Sequence, residues 1–562
     1  MSLFEERIAE KLSQSFEQLN YEEILSFIEN PKNPDFGDKS LPCFRFSKSM
    51  KKSPVQIGDL FIETFKDDNF FNEVTNVNGF LNFKFNREIF VKDIMVKLSN
   101  GEFYKELKDL GKGKVLAIDF SSPNIAKEFH IGHLRSTAIG NAISNAYELG
   151  GWSVKRINHL GDWGTQFGKL IYAYIEWGDE EEFKKQPIRY LQSIYVKFHK
   201  LAEEDPSLED KGREWFKKLE EGDKKAKELW ELFRFHALES LKKSYDRLNI
   251  SFDHYWGEAF YEEDCKKVIE IVENSDAGSV SNGALIVNLE KYDMPPCLIR
   301  KSDGTSIYAT RDLAAAIHRY ESLKFDKFIY VTEMKQNLHF RQVIKSLELL
   351  GYEWANSMEH VFFGSIKGIS TRKGNVKYLD DVFDEAKERA LSVINEKNPN
   401  LEDKESIAES IGVGAVVFQD LSKSRVKDSE FNWERILAFD GETGPYIQYT
   451  FVRIHNILEK VGEFDYSNLD YSVLTDDSSF KILTEIGRFN KVLENCIREN
   501  EPSVIATYII SLSKAFNKFY LNNRVLGEEK KVVDARATLL LKLKEIMSSC
   551  MKIIGVPEVY KM

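Results

Sequence analysis

Residues 111–157 set out a strand, a helix and a second strand without interruption. The apolar run VLAIDF, 115–120, indicates a buried strand. From Leu134 to Ala146, apolar residues recur at helical spacing, and Gly150-Gly151 end the pattern. Residues 152–157 then predict another strand. Because such a unit joins parallel strands, the pattern predicts an α/β fold of the Rossmann type, a doubly wound parallel sheet.

A second unit of the same kind follows much later in the chain. Its strand, helix and strand are predicted at 327–332, 338–351 and 360–366. The charged stretch between the two units, about 172–295, carries mostly helical patterns. We therefore expect a helical insertion within one α/β domain.

Both ends of the chain differ from this central part. The first part predicts a small α/β domain, in which Asn78-Gly79 between two alternating runs indicates a hairpin. After about residue 404, helical patterns continue to the end, as in an all-α domain. The predicted domains are 1–108, 109–403 with the insertion, and 404–562.

Composition restricts the function classes. The 562 residues are 42% hydrophobic and 30% charged, which is typical of a soluble globular protein with several domains. The net charge of −12 argues against a general nucleic-acid binder but allows a local basic face. The five cysteines form no C-x-x-C pair, which favours reduced thiols and offers no zinc site. Without a signal-peptide pattern or a long apolar run, we expect a cytoplasmic protein that does not enter membranes.

The segment between the first strand and the first helix is the strongest candidate site. Ligands of such sheets bind at the carboxyl end of a strand and the amino end of a helix. His130 and His133 share a face in a first helical turn, and Gly132 leaves room for a ligand beside the backbone. The two imidazoles could bind phosphate oxygens. Taken alone, they could equally be surface or core histidines, or a metal pair for which no third ligand is evident.

Residues 130–133 spell HIGH, the signature of class I aminoacyl-tRNA synthetases. The surrounding stretch and the one that follows resemble the arginyl-tRNA synthetase family in particular. Further stretches similar to that family recur in order along nearly the whole chain. The matching stretches are 121–142, 158–168, 308–319, 336–343, 369–376, 439–450 and 555–562.

This resemblance implies an aminoacyl-tRNA ligase. Such an enzyme uses ATP, with Mg²⁺ on its phosphates, to convert L-arginine to arginyl-adenylate. It then transfers the arginyl group to the 3′ end of tRNA(Arg) for protein synthesis. The resemblance also implies an N-terminal tRNA-binding domain and a helical C-terminal anticodon-binding domain. Protein ligands for a metal are not evident in the sequence. We expect the enzyme to act as a monomer.

The resemblance assigns the ATP-binding and catalytic residues. The family's mobile KMSKS loop corresponds to residues 369–375, where its two lysines are out of register. Lys127, just before HIGH, takes the place of one of them, because cations stabilise charge that develops at the ATP α-phosphate. Without the resemblance, residues 370–373 would be an ordinary solvated turn. The predicted ATP-binding residues are His130, Gly132, His133, Ser370, Thr371 and Lys373, and the predicted catalytic residues are Lys127, His130, His133, Arg372 and Lys373.

Arginine needs a different kind of site. Its guanidinium is a planar fork of donors with a permanent charge, which a carboxylate binds best. By resemblance, Asp312 binds the guanidinium, Tyr308 adds a hydrogen bond and packing, and Gln336 makes another contact. Asn124 and His133 hold the amino-acid end. Asp312 could otherwise be an ordinary charge at a helix N-terminus.

The resemblance also points to RNA contacts near the start of the C-terminal domain. Tyr446 and Tyr449 could stack on bases of the tRNA, or could simply pack between domains. Two other functions stay open at this point. One is a different HIGH-bearing enzyme, such as another class I synthetase or a small adenylyltransferase. The other is a non-catalytic paralogue that only binds tRNA or another protein.

Overall fold

The computed structural model describes residues 3–31, 33–125, 129–305, 307–367 and 378–562. The chain forms two compact units. One comprises Met1–Leu107, Thr450–Glu494 and Tyr508–Ser549, and the other comprises Lys108–Tyr449, Asn495–Thr507 and Cys550–Met562. Across the described ranges, no helix has both the length and the apolar character that a membrane span requires.

The N-terminal part of the first unit is an antiparallel sheet of order β1-β3-β2 with helices around it. Its strands are β1 (Lys39–Pro42), β2 (Phe71–Val77) and β3 (Phe80–Phe85). Its helices are α1 (Leu3–Ser15), α2 (Tyr21–Phe27), α3 (Ser47–Met50), α4 (Pro54–Thr64), α5 (Arg87–Asn100) and α6 (Glu102–Asp109). The predicted hairpin is confirmed: Asn78 and Gly79 have φ of 53° and 83°, as a two-residue type I′ turn requires.

The first predicted strand–helix–strand unit is also confirmed. It consists of β4 (Val115–Asp119), α7 (Ile131–Leu149) and β5 (Ser153–Ile157), and the two strands pair in parallel. The apolar residues of α7 that set the predicted pattern, from Leu134 to Ala146, are buried. The apolar positions of the predicted pattern are therefore core positions of the folded protein.

The predicted insertion is helical over most of its length. Its helices are α8 (Thr165–Trp177), α9 (Glu180–Lys185), α10 (Pro187–Glu204), α11 (Ser207–Glu220), α12 (Lys224–Arg247) and α13 (Glu262–Glu273). After α13, however, the chain forms an antiparallel sheet of β6 (Gly278–Ser281), β7 (Ala284–Val287) and β8 (Cys297–Arg300). A second Asn-Gly turn, at Asn282 and Gly283, joins β6 to β7.

The second strand–helix–strand unit completes the central sheet. Helix α14 (Tyr308–Leu323) leads into β9 (Lys327–Glu333), α15 (Asn337–Leu349) and β10 (Met358–Phe363). All four strands are parallel in the order β10-β9-β4-β5. The chain order reverses between β4 and β9, and ligands of such sheets bind at the carboxyl ends of strands beside that point.

One strand boundary differs from the prediction of 360–366. Strand β10 ends at Phe363, and Ile366–Lys367 forms a separate short strand, β11, which pairs with β12 (Ser429–Glu430). Arg135, buried in α7, donates a hydrogen bond of 2.9 Å to the carbonyl of Gly364 at this break. The chain leaves the central sheet there because its backbone groups find other partners.

Helices dominate the rest of the chain, as predicted. They are α16 (Leu379–Lys397), α17 (Lys404–Leu421), α18 (Trp433–Ile436), α19 (Gly444–Val461), α20 (Asp477–Gly487), α21 (Phe489–Glu499), α22 (Ser503–Asn522) and α23 (Lys530–Ile554). Within the first unit, α20 packs on α5 through Phe90 and Phe480, whose ring centroids are 5.2 Å apart. The compact units thus divide the chain differently from the domains expected at 1–108, 109–403 and 404–562, which stay predictions.

Candidate active site

A cavity of about 550 Å³ opens at the carboxyl ends of β4 and β9, the position expected for a ligand. Both strand–helix–strand units and the insertion, through Glu258, contribute to its wall. Most of the residues predicted to bind arginine or ATP, wherever the structure describes them, meet here. These are Asn124, Gly132, His133, Tyr308, Asp312 and Gln336.

Two serines form the floor of the cavity just after β4. Ser121 and Ser122 have φ of 68° and 43°, a left-handed conformation that costs about 1–2 kcal/mol per residue. Hydrogen bonds hold both in place. The Ser121 N–H donates to Ser136 Oγ at 3.0 Å, and the Ser122 hydroxyl donates to Asp119 Oδ1 at 2.6 Å. Such enforced strain is typical of functional sites.

The HIGH histidines lie at the N-terminus of α7 and cap it. The His130 Nδ1 accepts a hydrogen bond from the Gly132 N–H, and the His133 Nδ1 accepts one from the His130 N–H, both at 3.1 Å. Their ring centroids are 3.9 Å apart. A Cβ on residue 132 would lie 2.8 Å from the His130 ring, so this glycine leaves room for an imidazole as well as for a ligand. His133 lines the cavity, whereas His130 lies beside it.

Asp312 lies in the first turns of α14, four residues after Tyr308. Its Oδ2 is 2.5 Å from Nε2 of His339, on α15. Burial by itself would raise the pKa of Asp312. The hydrogen bond from His339, and the charges of His339, His159 and Arg319, instead hold that pKa below its ordinary value. The cavity therefore contains an ionised carboxylate near neutral pH.

Three further carboxyl groups line the cavity and were not predicted from the sequence: Asp119, Glu258 and Glu333. Asp119, at the end of β4, pairs with the buried Arg319 at 2.8 Å. Glu258 lies in a short 3₁₀ turn of the insertion, Glu258–Tyr261. Burial raises the pKa of Glu258 to about 8, although the charge of Arg311 opposes the rise. Together with Asp312, four carboxyl groups line one cavity, which makes it suitable for a cationic ligand.

Several predicted residues lie outside the described residues: Lys127, Ser370, Thr371, Arg372 and Lys373. The chain flanking them is described. The Leu379 N–H donates to the carbonyl of Phe129 at 3.0 Å, and His130 forms a β-bridge with Tyr378. Residues 129–130 and 378–379, which follow those two segments, therefore pair with each other.

The two predicted RNA-stacking tyrosines are both on α19, away from the cavity. Tyr446 is half-buried, and Tyr449 is 41% exposed. Stacking of these two tyrosines on RNA stays a prediction. Over the described residues, no group of three or more His, Cys, Asp or Glu side chains is arranged to hold a metal ion.

Three family descriptions match the chain in sequence order. Residues 2–85 match the arginyl tRNA synthetase N terminal domain. Residues 93–433, more than half of the chain, match the tRNA synthetases class I (R), catalytic domain. Residues 447–562 match the DALR anticodon binding domain. The chain belongs to the arginyl-tRNA synthetase family.

Relatives of this synthetase family match over the full length. The arginine–tRNA ligase of Alkaliphilus metalliredigens (strain QYMF) is 43% identical over 567 residues, which cover 100% of both chains. That of Clostridioides difficile (strain 630) is 44% identical over 559 residues, 99% of each chain. The structure of the Thermus thermophilus arginyl-tRNA synthetase superimposes with a TM-score of 0.82 and 23% identity, covering 100% of this chain and 99% of that one. The synthetase fold is therefore shared along the whole chain.

Proposed function

We propose that this protein is an arginine–tRNA ligase whose 550 Å³ cavity binds L-arginine. The observation that carries the proposal is the position of the ionised Asp312 carboxylate. It lies in an acidic cavity at the switch point of the sheet, beside the N-terminus of the HIGH helix. A guanidinium supplies the permanent positive charge that such a cavity favours.

Arginine recognition in this proposal uses both strand–helix–strand units. Asp312 accepts the guanidinium, while Tyr308, which is 64% exposed in the open cavity, covers it. Gln336 makes a further contact with the substrate. Asn124 and His133 hold the amino-acid end near the N-terminus of α7, where the α-carboxylate is also favoured by the helix dipole.

Activation then takes place next to α7. The arginine carboxylate oxygen attacks the α-phosphorus of ATP, which enters as its magnesium complex. An acyl phosphate bond forms, and pyrophosphate leaves. His130, Gly132 and His133 contact the nucleotide, as do Ser370, Thr371 and Lys373. Lys127 and Arg372 add positive charge where the phosphate becomes more negative. No covalent bond to the enzyme is needed, since positioning and charge stabilisation suffice.

Transfer completes the reaction. A hydroxyl of the 3′ terminal ribose of tRNA(Arg) attacks the arginyl carbonyl and releases AMP. Residues 1–108 and the helical C-terminal residues, including Tyr446 and Tyr449, contact the tRNA. We place the enzyme in the cytoplasm, as a monomer. Five buried free cysteines fit a reducing compartment.

The decisive experiment is exchange of labelled pyrophosphate into ATP, measured with each of the 20 amino acids, with and without total tRNA. We expect exchange with arginine alone among them, and arginylation of tRNA when it is supplied. Exchange with another amino acid would identify a different class I synthetase. A preparation that binds tRNA but shows neither exchange nor arginylation would identify a non-catalytic paralogue.

A further inference from the structure

Asp312, the carboxylate proposed to bind the substrate guanidinium, is in contact with the imidazole of His339. Asp312 Oδ2 lies 2.5 Å from His339 Nε2, and both residues line the cavity. The Asp312 side chain is 16% exposed and that of His339 is 30% exposed, so both remain accessible from the cavity that they line. An arginine side chain that binds Asp312 must therefore approach His339 as well.

The surroundings favour a charged imidazole while the cavity is empty. Burial opposes a charge on His339, but the hydrogen bond to Asp312 and the charge of its carboxylate outweigh burial and raise the pKa of His339. The neighbouring elements carry both signs of charge. Titratable and charged groups that line the cavity or interact electrostatically with the pair are Asp119 at the end of β4, His159 after β5, Glu258 and Tyr261 of the insertion, Tyr308, Arg311 and Arg319 on α14, Tyr330 and Glu333 on β9, and His360 on β10.

We propose that His339 is a cationic placeholder for the substrate: it neutralises Asp312 in the empty site and loses its proton when a guanidinium binds. This inference rests on the proposed function, because it takes arginine as the ligand of Asp312. A guanidinium keeps its charge at any physiological pH, whereas an imidazolium can give up a proton. When both compete for one carboxylate, the imidazolium is therefore the group that changes.

The proton balance of this step is simple. His339 leaves the imidazolium form by releasing the proton on Nδ1 to solvent. Its Nε2–H continues to donate to Asp312, so the carboxylate stays oriented for the substrate. His339 is thus a positioning residue, and binding of one arginine releases one proton from it. By linkage, the Kd for arginine should rise about tenfold for each pH unit below the pKa of His339 in the free enzyme.

One neighbour also changes protonation and must be separated from this effect. Burial raises the pKa of Glu258 to about 8, so a cation in the cavity would release a proton from that group too. Glu258→Gln removes this second proton from the balance. The dependence of the Kd on pH should persist in Glu258→Gln and should be much reduced in the double variant Glu258→Gln with His339→Gln.

The direct test is NMR of the full chain labelled with ¹⁵N-histidine, at pH 7 and without tRNA. The His339 signals are assigned by their loss in His339→Gln, and independently in His339→Asn. We expect the shifts of an imidazolium in the free protein, and of a neutral ring protonated on Nε2 with saturating arginine. Calorimetry of the same samples establishes that arginine is bound.

The outcomes separate the two proposals. A His339 that is neutral in the free protein, or that stays cationic with arginine bound, overturns the placeholder role and leaves the proposed function intact. If arginine gives neither heat nor any change in the histidine signals, the proposed function fails, and the placeholder role fails with it.

Discussion

Asp312 and Glu258 share one cavity but differ in protonation, because their partners differ. His339 stabilises the charge on Asp312, whereas burial dominates at Glu258. At neutral pH the empty site therefore combines an ionised carboxylate with a neutral carboxylic acid. A bound cation favours ionisation of both groups, so the second carboxyl can strengthen its interaction as the substrate enters.

Asp312→Asn keeps the shape of the side chain but removes its charge. Loss of one partner of a buried charge pair costs about 2–5 kcal/mol, so the KM for arginine should rise at least about 30-fold. The KM for ATP should change little. Glu321→Gln, an exposed position on the same helix, is the matched control and should leave both constants unchanged. Steady-state exchange kinetics measure all four values, and an unchanged arginine KM in Asp312→Asn would remove this residue from the site.

Glu258 should impose a pH dependence on stability. Its pKa is raised from 4.5 to about 8 in the folded protein, so its contribution is fully present below pH 4.5 and is lost as the pH rises through 8. Glu258→Gln cannot ionise and escapes this loss. We expect its Tm to match the parent's near pH 4.5 and to exceed it by a growing margin as the pH rises toward 8. Parallel thermal melts across that range provide the measurement, and a constant difference would show that Glu258 ionises freely.

Some residues of the site could be predicted from the sequence, and others could not. Asp312 and Tyr308 were predicted because residues 308–319 resemble the arginine-binding stretch of the family. His339 stands only three residues after Gln336, within another such stretch, yet nothing in the local pattern pairs it with Asp312. Glu258 gives even less signal, since the fold alone brings the insertion to the cavity. Contacts between distant parts of the chain depend on packing, which a local pattern does not encode.

At the scale of elements, Ser136 on α7 links the end of β4 to β9, the two strands between which the chain order of the sheet reverses. From α7, its hydroxyl accepts the Ser121 N–H after β4 at 3.0 Å and donates to the carbonyl of Val331 on β9 at 2.7 Å. Both partners are buried. The bridge thus holds the strained Ser121 against the neighbouring strand β9.

Ser136→Ala should therefore affect both stability and activity. Two buried polar groups lose their partner, at a cost of about 1–3 kcal/mol, and kcat for pyrophosphate exchange should fall as the floor of the cavity loosens. Ser144→Ala is a matched control on the same helix. The Ser144 hydroxyl is also buried, but it donates to the Gly140 carbonyl. That carbonyl also accepts a backbone hydrogen bond within the helix, so it keeps a partner when the hydroxyl is removed. Denaturation and exchange assays of the two variants should differ clearly. Equal effects would mean that the bridge adds nothing beyond burial of a hydroxyl.

Most helices and strands were predictable from the sequence, but the β6–β7 hairpin was not. Helical and strand periodicities gave both strand–helix–strand units, and an Asn-Gly pair gave the N-terminal hairpin. The same signal, Asn282-Gly283 between short alternating runs, marks the β6–β7 hairpin, where Val280 pairs with Leu285. Its strands have only four residues each and follow a long helical stretch, so the periodicity around them favoured helix. A turn signal should therefore outweigh periodicity over so short a span.

At the scale of the whole molecule, neither compact unit is continuous in sequence. Residues 550–562 belong with the catalytic residues, where Gln448 Nε2 donates to the carbonyl of Pro557 at 2.9 Å. Residues 450–494 and 508–549 belong with the N-terminal residues. A division by sequence composition assigns each stretch to one domain in order, and it cannot predict a chain that passes between two units more than once.

This arrangement bears on the last prediction, that activation of arginine depends on bound tRNA. The KMSKS counterpart is altered, and predicted tRNA-binding residues flank the catalytic residues on both sides. We expect the enzyme alone to occupy a productive state only a few per cent of the time, and tRNA to bind that state more tightly. A shift to near saturation needs differential binding of roughly 4–5 kcal/mol, which a long RNA footprint can supply.

The measurement is arginine-dependent exchange of labelled pyrophosphate into ATP, first with RNase-treated and repurified enzyme and then with added tRNA. Exchange should be close to background without RNA and should rise at least about 20-fold with tRNA(Arg), from a few per cent productive to nearly all. A tRNA of another specificity, at equal concentration, is the control and should give little increase, because it lacks the differential binding. Calorimetry without tRNA should still detect arginine in the cavity, since Asp312 and its neighbours are already assembled there. Robust exchange in the RNA-free enzyme would show that the ATP side is assembled too, and the coupling to tRNA would then be wrong while the ligase activity stood.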